Sequence, residues 1–221
     1  MSLFRTHGWR LLLVASGVLL AAGGPMHPAA DGSDTLRQEL ATMTADESWV
    51  PGHTLVAVST VLLALGLWAA VRSRAWPASV QRTLTIVAAI VSVYVVETLF
   101  HLAAVVDSEE LAHGHAAPVA MTHIGLATVL YPVTGWAIVL LAWSFGRVWT
   151  GWRRGIALVG IVAGLAHAFS VPLTILFPRA EISPVFAVAG IALALFSLAT
   201  GLAGAPSQRR TARVPEPALM G

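Results

Sequence analysis

The amino-acid sequence predicts an all-α fold, a polytopic membrane bundle of about six transmembrane helices with both termini cytoplasmic. Three observations predict it. The chain is 57% hydrophobic and 11% charged, with a mean hydropathy of +0.77, whereas a soluble domain carries about 25% charged residues. Its apolar residues fall in runs near the length, about 20 residues, that a helix needs to cross a bilayer. Its arginines collect on alternate connections between those runs, and its carboxylates on the others.

The elements follow in order. The run at 9–24 comes after Arg5 and Arg10 and ends in small residues, a pattern shared by a signal peptide and a first transmembrane helix. An even number of spans puts both termini on the arginine-bearing side, which favours the helix. Segment 25–50 is the longest outer loop. In it Leu36, Leu40 and Met43 recur at helical spacing behind Asp34, an N-capping residue type, and predict a short helix on the outer surface. Spans at 51–71, 84–106, 118–145, 155–177 and 184–202 follow. Their short connections make consecutive helices antiparallel neighbours. Residues 206–221 are polar, contain Pro215 and Pro217, and predict a disordered cytoplasmic tail. Residues 1–205 then form a single transmembrane domain. No internal repeat supports a transporter built from inverted repeats.

Under this threading Arg5, Arg10, Arg72, Arg74, Arg82, Arg147, Arg153, Arg154, Arg209, Arg210 and Arg213 share one side, and only Arg37 and Arg179 fall on the other. The second side holds the carboxylates of the loops, from Asp31 and Asp34 to Glu109, Glu110 and Glu181. The arginine side is cytoplasmic by the positive-inside rule, in a cell membrane. This topology also accounts for the pI near 9.9, so a nucleic-acid partner is not expected. The lipid bilayer is the expected surrounding, and the sequence identifies no protein partner. The absence of cysteine excludes disulfides, thiolate metal sites, iron–sulfur clusters and cysteine nucleophiles.

Of the eight histidines, all except His7 map to the outer loops or the outer half of the membrane. His53, His101, His123 and His167 stand on four consecutive helices, with Glu97 one turn below His101. Helical phase aligns Tyr94, Glu97, Thr98 and His101; His53, Ala57, Thr60 and Ala64; His123, Ala127, Tyr131 and Thr134; and His167, Ser170 and Thr174. Pro132 marks an expected kink. Lipid offers such polar stripes no partner, so they are expected to face one another. The first and last helices lack a buried ionisable residue and read as scaffold.

Ionisable groups inside a membrane mark a site or a path. His101, His123, His167 and Glu97 can ligate a transition metal such as copper, zinc or iron. His53, His101, His123 and His167 can hold haem b. Either ligand, or another small molecule, would arrive from the extracytoplasmic side and serve redox chemistry or transport. A proton or electron relay would use Glu97 and His167 as its deep members. An intramembrane enzyme would use Glu97 as acid or base on a lipid or isoprenoid, although Gly-x-Ser-x-Gly and His-Glu-x-x-His are both missing. A non-catalytic subunit would use these residues for packing. Met26-His27-Pro28 offers copper-type ligands, and His113-Gly114-His115 lies beside Glu109 and Glu110; both read more simply as solvated loops. Trp49, Trp76, Trp149 and Trp152 read as interfacial belt residues.

Six helices with histidines on four central ones resemble the cytochrome b561 type of electron carrier. In that architecture the histidines pair near opposite faces and hold two haems. Here all four favour one side, which leaves room for one haem, and the family's activity is not carried over.

Overall fold

A computed structural model describes residues 2–28, 35–177 and 180–206. The expected Asp34 cap, Arg179 and the tail beyond residue 206 lie outside them. The elements are α1 (Ser2–Gly23), a 3-10 turn Gly24–Met26, α2 (Leu36–Ala45), α3 (Trp49–Ser73), α4 (Ala78–Ala103), a 3-10 turn Ala104–Asp107, α5 (Ser108–Ala112), α6 (Pro118–Val148), α7 (Arg153–Leu176) and α8 (Ser183–Ala203). No strand occurs among the described residues. Six helices are long and apolar enough to cross a membrane. At 1.5 Å per residue, the 25 residues of α3 extend about 37 Å.

The six long helices close a ring. Each packs on its chain neighbour in the order α1, α3, α4, α6, α7, α8, and α8 returns to α1. Small residues let the backbones approach. Gly135 of α6 lies against the backbone of Gly164 and Ala168 in α7, and Gly17 of α1 against Ala194 and Leu198 in α8. Buried hydroxyls add ties. The Ser59 hydroxyl donates to the Ser16 carbonyl at 2.8 Å, and that of Ser197 to the Leu13 carbonyl at 2.8 Å.

The antiparallel order brings Arg72, Arg82, Arg147 and Arg153 to one end of the ring. There the interior is apolar, built on Leu84, Val87, Val91, Leu141 and Phe196. The guanidinium of Arg10 donates to the Gly201 and Leu202 carbonyls, 2.8 and 2.5 Å away, and so satisfies the open end of α8.

Of the four tryptophans expected at interfaces, three are packed within the protein at helix ends and connections. Trp49, Trp76 and Trp149 are 0%, 3% and 1% exposed, against 72% for Trp152. Helix C-termini supply the reason, because their last carbonyls lack intrahelical donors. The Trp49 indole donates to the Leu102 carbonyl near the end of α4, and Trp149 donates to the carbonyl of Gly204, the C-cap of α8. Trp76 stacks on Phe145 with ring centroids 4.1 Å apart.

At the opposite end, which we term the histidine end, α2 forms the expected short helix. Its N-cap is Thr35, in a capping box with Gln38. Leu40 packs with Trp49, Ala104, Leu111, Ala117 and Ala120, and Leu36 and Met43 flank them. Arg37 fastens α2 to the α5 region by donating to the Glu110, Leu111 and His115 carbonyls. The α6 N-terminus is satisfied at long range: Asp107 Oδ2 accepts from the backbone N–H groups of Val119 and Ala120 at 2.7 and 2.9 Å. Asp107→Ala should cost about 0.5–2 kcal/mol, as other N-cap losses do. Thermal unfolding in detergent measures this, and an unchanged midpoint would rule the cap out.

Candidate metal centre at the histidine end

Each imidazole reaches the ring interior for a local reason. α3 begins at Trp49 and carries His53 one turn later. The Trp49 indole stacks on the His53 ring, 3.9 Å between centroids and 30° between planes. His53 Nδ1 lies 2.8 Å from the Trp49 carbonyl. A carbonyl can only accept, so Nδ1 carries the hydrogen and Nε2 keeps its lone pair in the neutral ring. That Nε2 is buried and has no hydrogen-bond partner.

His27 arrives from outside the helices. The Gly24–Met26 turn packs on the start of α3, where a Cβ on Gly52 would stand 3.0 Å from the Met26 Cβ. This close seat directs the next residue over His53, with ring centroids 4.9 Å apart. His27 Nδ1 lies 2.8 Å from the Pro28 carbonyl, which again leaves Nε2 as the free lone pair. The ring keeps an open edge, while the protein packed around it lowers the His27 pKa from its ordinary value by desolvation.

α4 and α6 complete the group. His101 lies 4.4 Å from His53 by ring centroids and stacks on His123 at 4.0 Å and 18°. One turn below His101, Glu97 is fully buried. Its Oε1 approaches His123 Nδ1 to 2.8 Å, off the direction of a hydrogen bond, and neither atom has another partner. Two sets of ligand atoms therefore lie within 4.8 Å of one another: His27, His53 and His101, and Glu97, His101 and His123. They share His101.

The polar stripes turn inward, with His167 and Ser170 buried on α7 and Tyr94, His101 and Thr174 half-buried. His53, Ala57, Thr60 and Ala64 are buried, as are His123, Ala127, Tyr131 and Thr134, with Glu97 and Thr98 on α4. α6 is helical through Pro132. His167 belongs to neither ligand set. It stacks on Tyr131, 4.4 Å and 17°, and meets Tyr94 edge-on at 5.2 Å. His113 and His115 are exposed. Their Nδ1 atoms face Glu109 O and Glu110 Oε2, and they join no third ligand among the described residues.

His27 is the residue that helical phase missed, because it stands on a turn. Its only sequence signal was the Met-His-Pro triplet. Trp49, read as a belt residue, supports the His53 ring. Compared with protein-family models, curated proteins and solved structures, the chain matches none.

Proposed function

We propose that this is a multi-pass membrane protein that binds a zinc or copper ion at its histidine end. The arginine end faces the cytoplasm by the positive-inside rule, so both termini are cytoplasmic and the ion comes from the other side. One observation carries the reading. His27 and His53 each commit Nδ1 to a backbone carbonyl and so keep the Nε2 lone pair, and both rings offer a ligand atom within 4.8 Å of one on His101. This is the usual arrangement of metal-ligating histidine, where the second ring nitrogen is fixed by a carbonyl or carboxylate. The buried Nε2 of His53, which has no hydrogen-bond partner, agrees with it, because buried polar atoms are otherwise hydrogen-bonded.

Imidazole and carboxylate without thiolate suit zinc and copper(II). Bonds of about 2 Å place two ligands on one ion at most about 4 Å apart. Separations of up to 4.8 Å then need a contraction of about 1 Å, within reach of side-chain rotation. Haem fits less well. His101 and His123 stack at 4.0 Å and leave no width for a macrocycle between them.

The test uses full-length protein in detergent, loaded with Zn²⁺ or Cu²⁺ and passed through a desalting column. Elemental analysis should find one ion retained per chain, and the absorption spectrum should lack a Soret band. A chain that retains no ion would refute the metal reading.

A further inference from the structure

We infer that the two ligand sets are successive stations of a single ion, which is taken up on His27, His53 and His101 and comes to rest on Glu97, His101 and His123. The inference rests on the proposed metal binding and deepens it. Three features carry it. First, both sets use His101, so an ion that takes its full ligand set at one station withdraws that imidazole from the other. Second, the sets differ in access and chemistry. His27 is exposed, whereas Glu97 and His123 are 0% and 5% exposed. The first station is all nitrogen and meets solvent through His27, with His53 buried and His101 half-buried. The second supplies a carboxylate, whose negative charge in a dry interior holds a cation more firmly. Third, the polar column ends soon after. Beyond Glu97 stand Tyr94, Tyr131 and His167 in ring contact, and then the apolar filling of the arginine end. That layer still carries the unpartnered His167 Nε2 and Thr134 hydroxyl, but the described interior below it is the apolar filling of the arginine end, so no polar path continues across and the ion leaves the way it came.

Copper(II) tests this on the full-length protein in detergent. Binding is followed by stopped-flow quenching of tryptophan fluorescence, which Trp49 reports through its stacking on His53. The resting site is read by electron paramagnetic resonance. The wild type should hold one ion in a magnetically isolated site. His27→Ala alters an exposed residue and leaves the second set whole. It should slow loading several-fold yet keep one ion and the wild-type spectrum. Glu97→Gln combined with His123→Ala should stop the ion at the first station, with the spectrum shifted to an all-nitrogen ligand set. Two coupled ions per chain would mean that His101 bridges two metals, and would overturn the inference. So would loading of His27→Ala at the wild-type rate, or loss of its ion at equilibrium. Each of these leaves metal binding itself standing. A wild type that retains no copper overturns both.

Discussion

Replacing His101 with alanine should abolish metal retention, while His167→Ala should leave it intact. His101 is the one residue common to both ligand sets, so its removal leaves two ligands at either place. Loss of a group that merely orients a ligand typically lowers metal affinity about 10–100-fold, and loss of a shared ligand should exceed that. His167 stacks on Tyr131 in a separate layer and belongs to neither ligand set, so its removal leaves both sets whole. Competition against a chelator of known affinity gives both values. Equal losses in the two variants would show that the site extends to His167. A wild-type affinity in His101→Ala would remove the centre from this part of the ring.

The second large effect concerns the ring itself. A methyl group on Gly135 would stand 2.5 Å from Ala168 N and from Gly164 O, and 2.6 Å from the Ala168 Cβ. None of these atoms is the free end of a flexible side chain, so α6 and α7 must separate. Gly135→Ala should therefore destabilise the protein by about 1–3 kcal/mol, the usual cost of overpacking, despite the better helix propensity of alanine. Gly125 lies in the same helix with nothing within 4 Å of its would-be Cβ. Gly125→Ala should be neutral, or stabilising by up to about 1 kcal/mol. Unfolding of the two variants in detergent compares them directly, and similar midpoints would contradict the packing described for α6 and α7. Because Thr134 and His167 flank this crossing, Gly135→Ala should also disturb the stacking of His167 on Tyr131.

The sequence carried the helices well because crossing a bilayer imposes a length and a composition. It understated their ends. α4 begins at Ala78, before the apolar run at 84, and α6 continues to Val148. Hydropathy records side-chain polarity, whereas the backbone ladder continues through Gln81, Arg82 and Arg147. Helical phase also located Glu97, His101 and His123, since these residues stand on regular helices that must turn polar stripes inward. Phase gives a direction but no depth relative to neighbouring helices. That is why phase groups His167 with His101 and His123, although the structure sets it in the Tyr94 and Tyr131 layer. His27 was beyond the reach of periodicity altogether. Its position depends on the seat that Gly52 offers to Met26, a contact between a turn and a helix start. The burial of Trp49 and Trp149 depends likewise on carbonyls presented by other helices' ends.

At rest, one metal ion should be held at the histidine end by His101, His123 and the buried carboxylate of Glu97. X-ray absorption on zinc-loaded, full-length protein in detergent tests it most directly. The expected first shell is nitrogen and oxygen at about 2.0–2.2 Å, with the multiple scattering of two imidazoles and a carboxylate oxygen completing the protein's ligands at rest. A shell of water or buffer oxygen without imidazole scattering would contradict it.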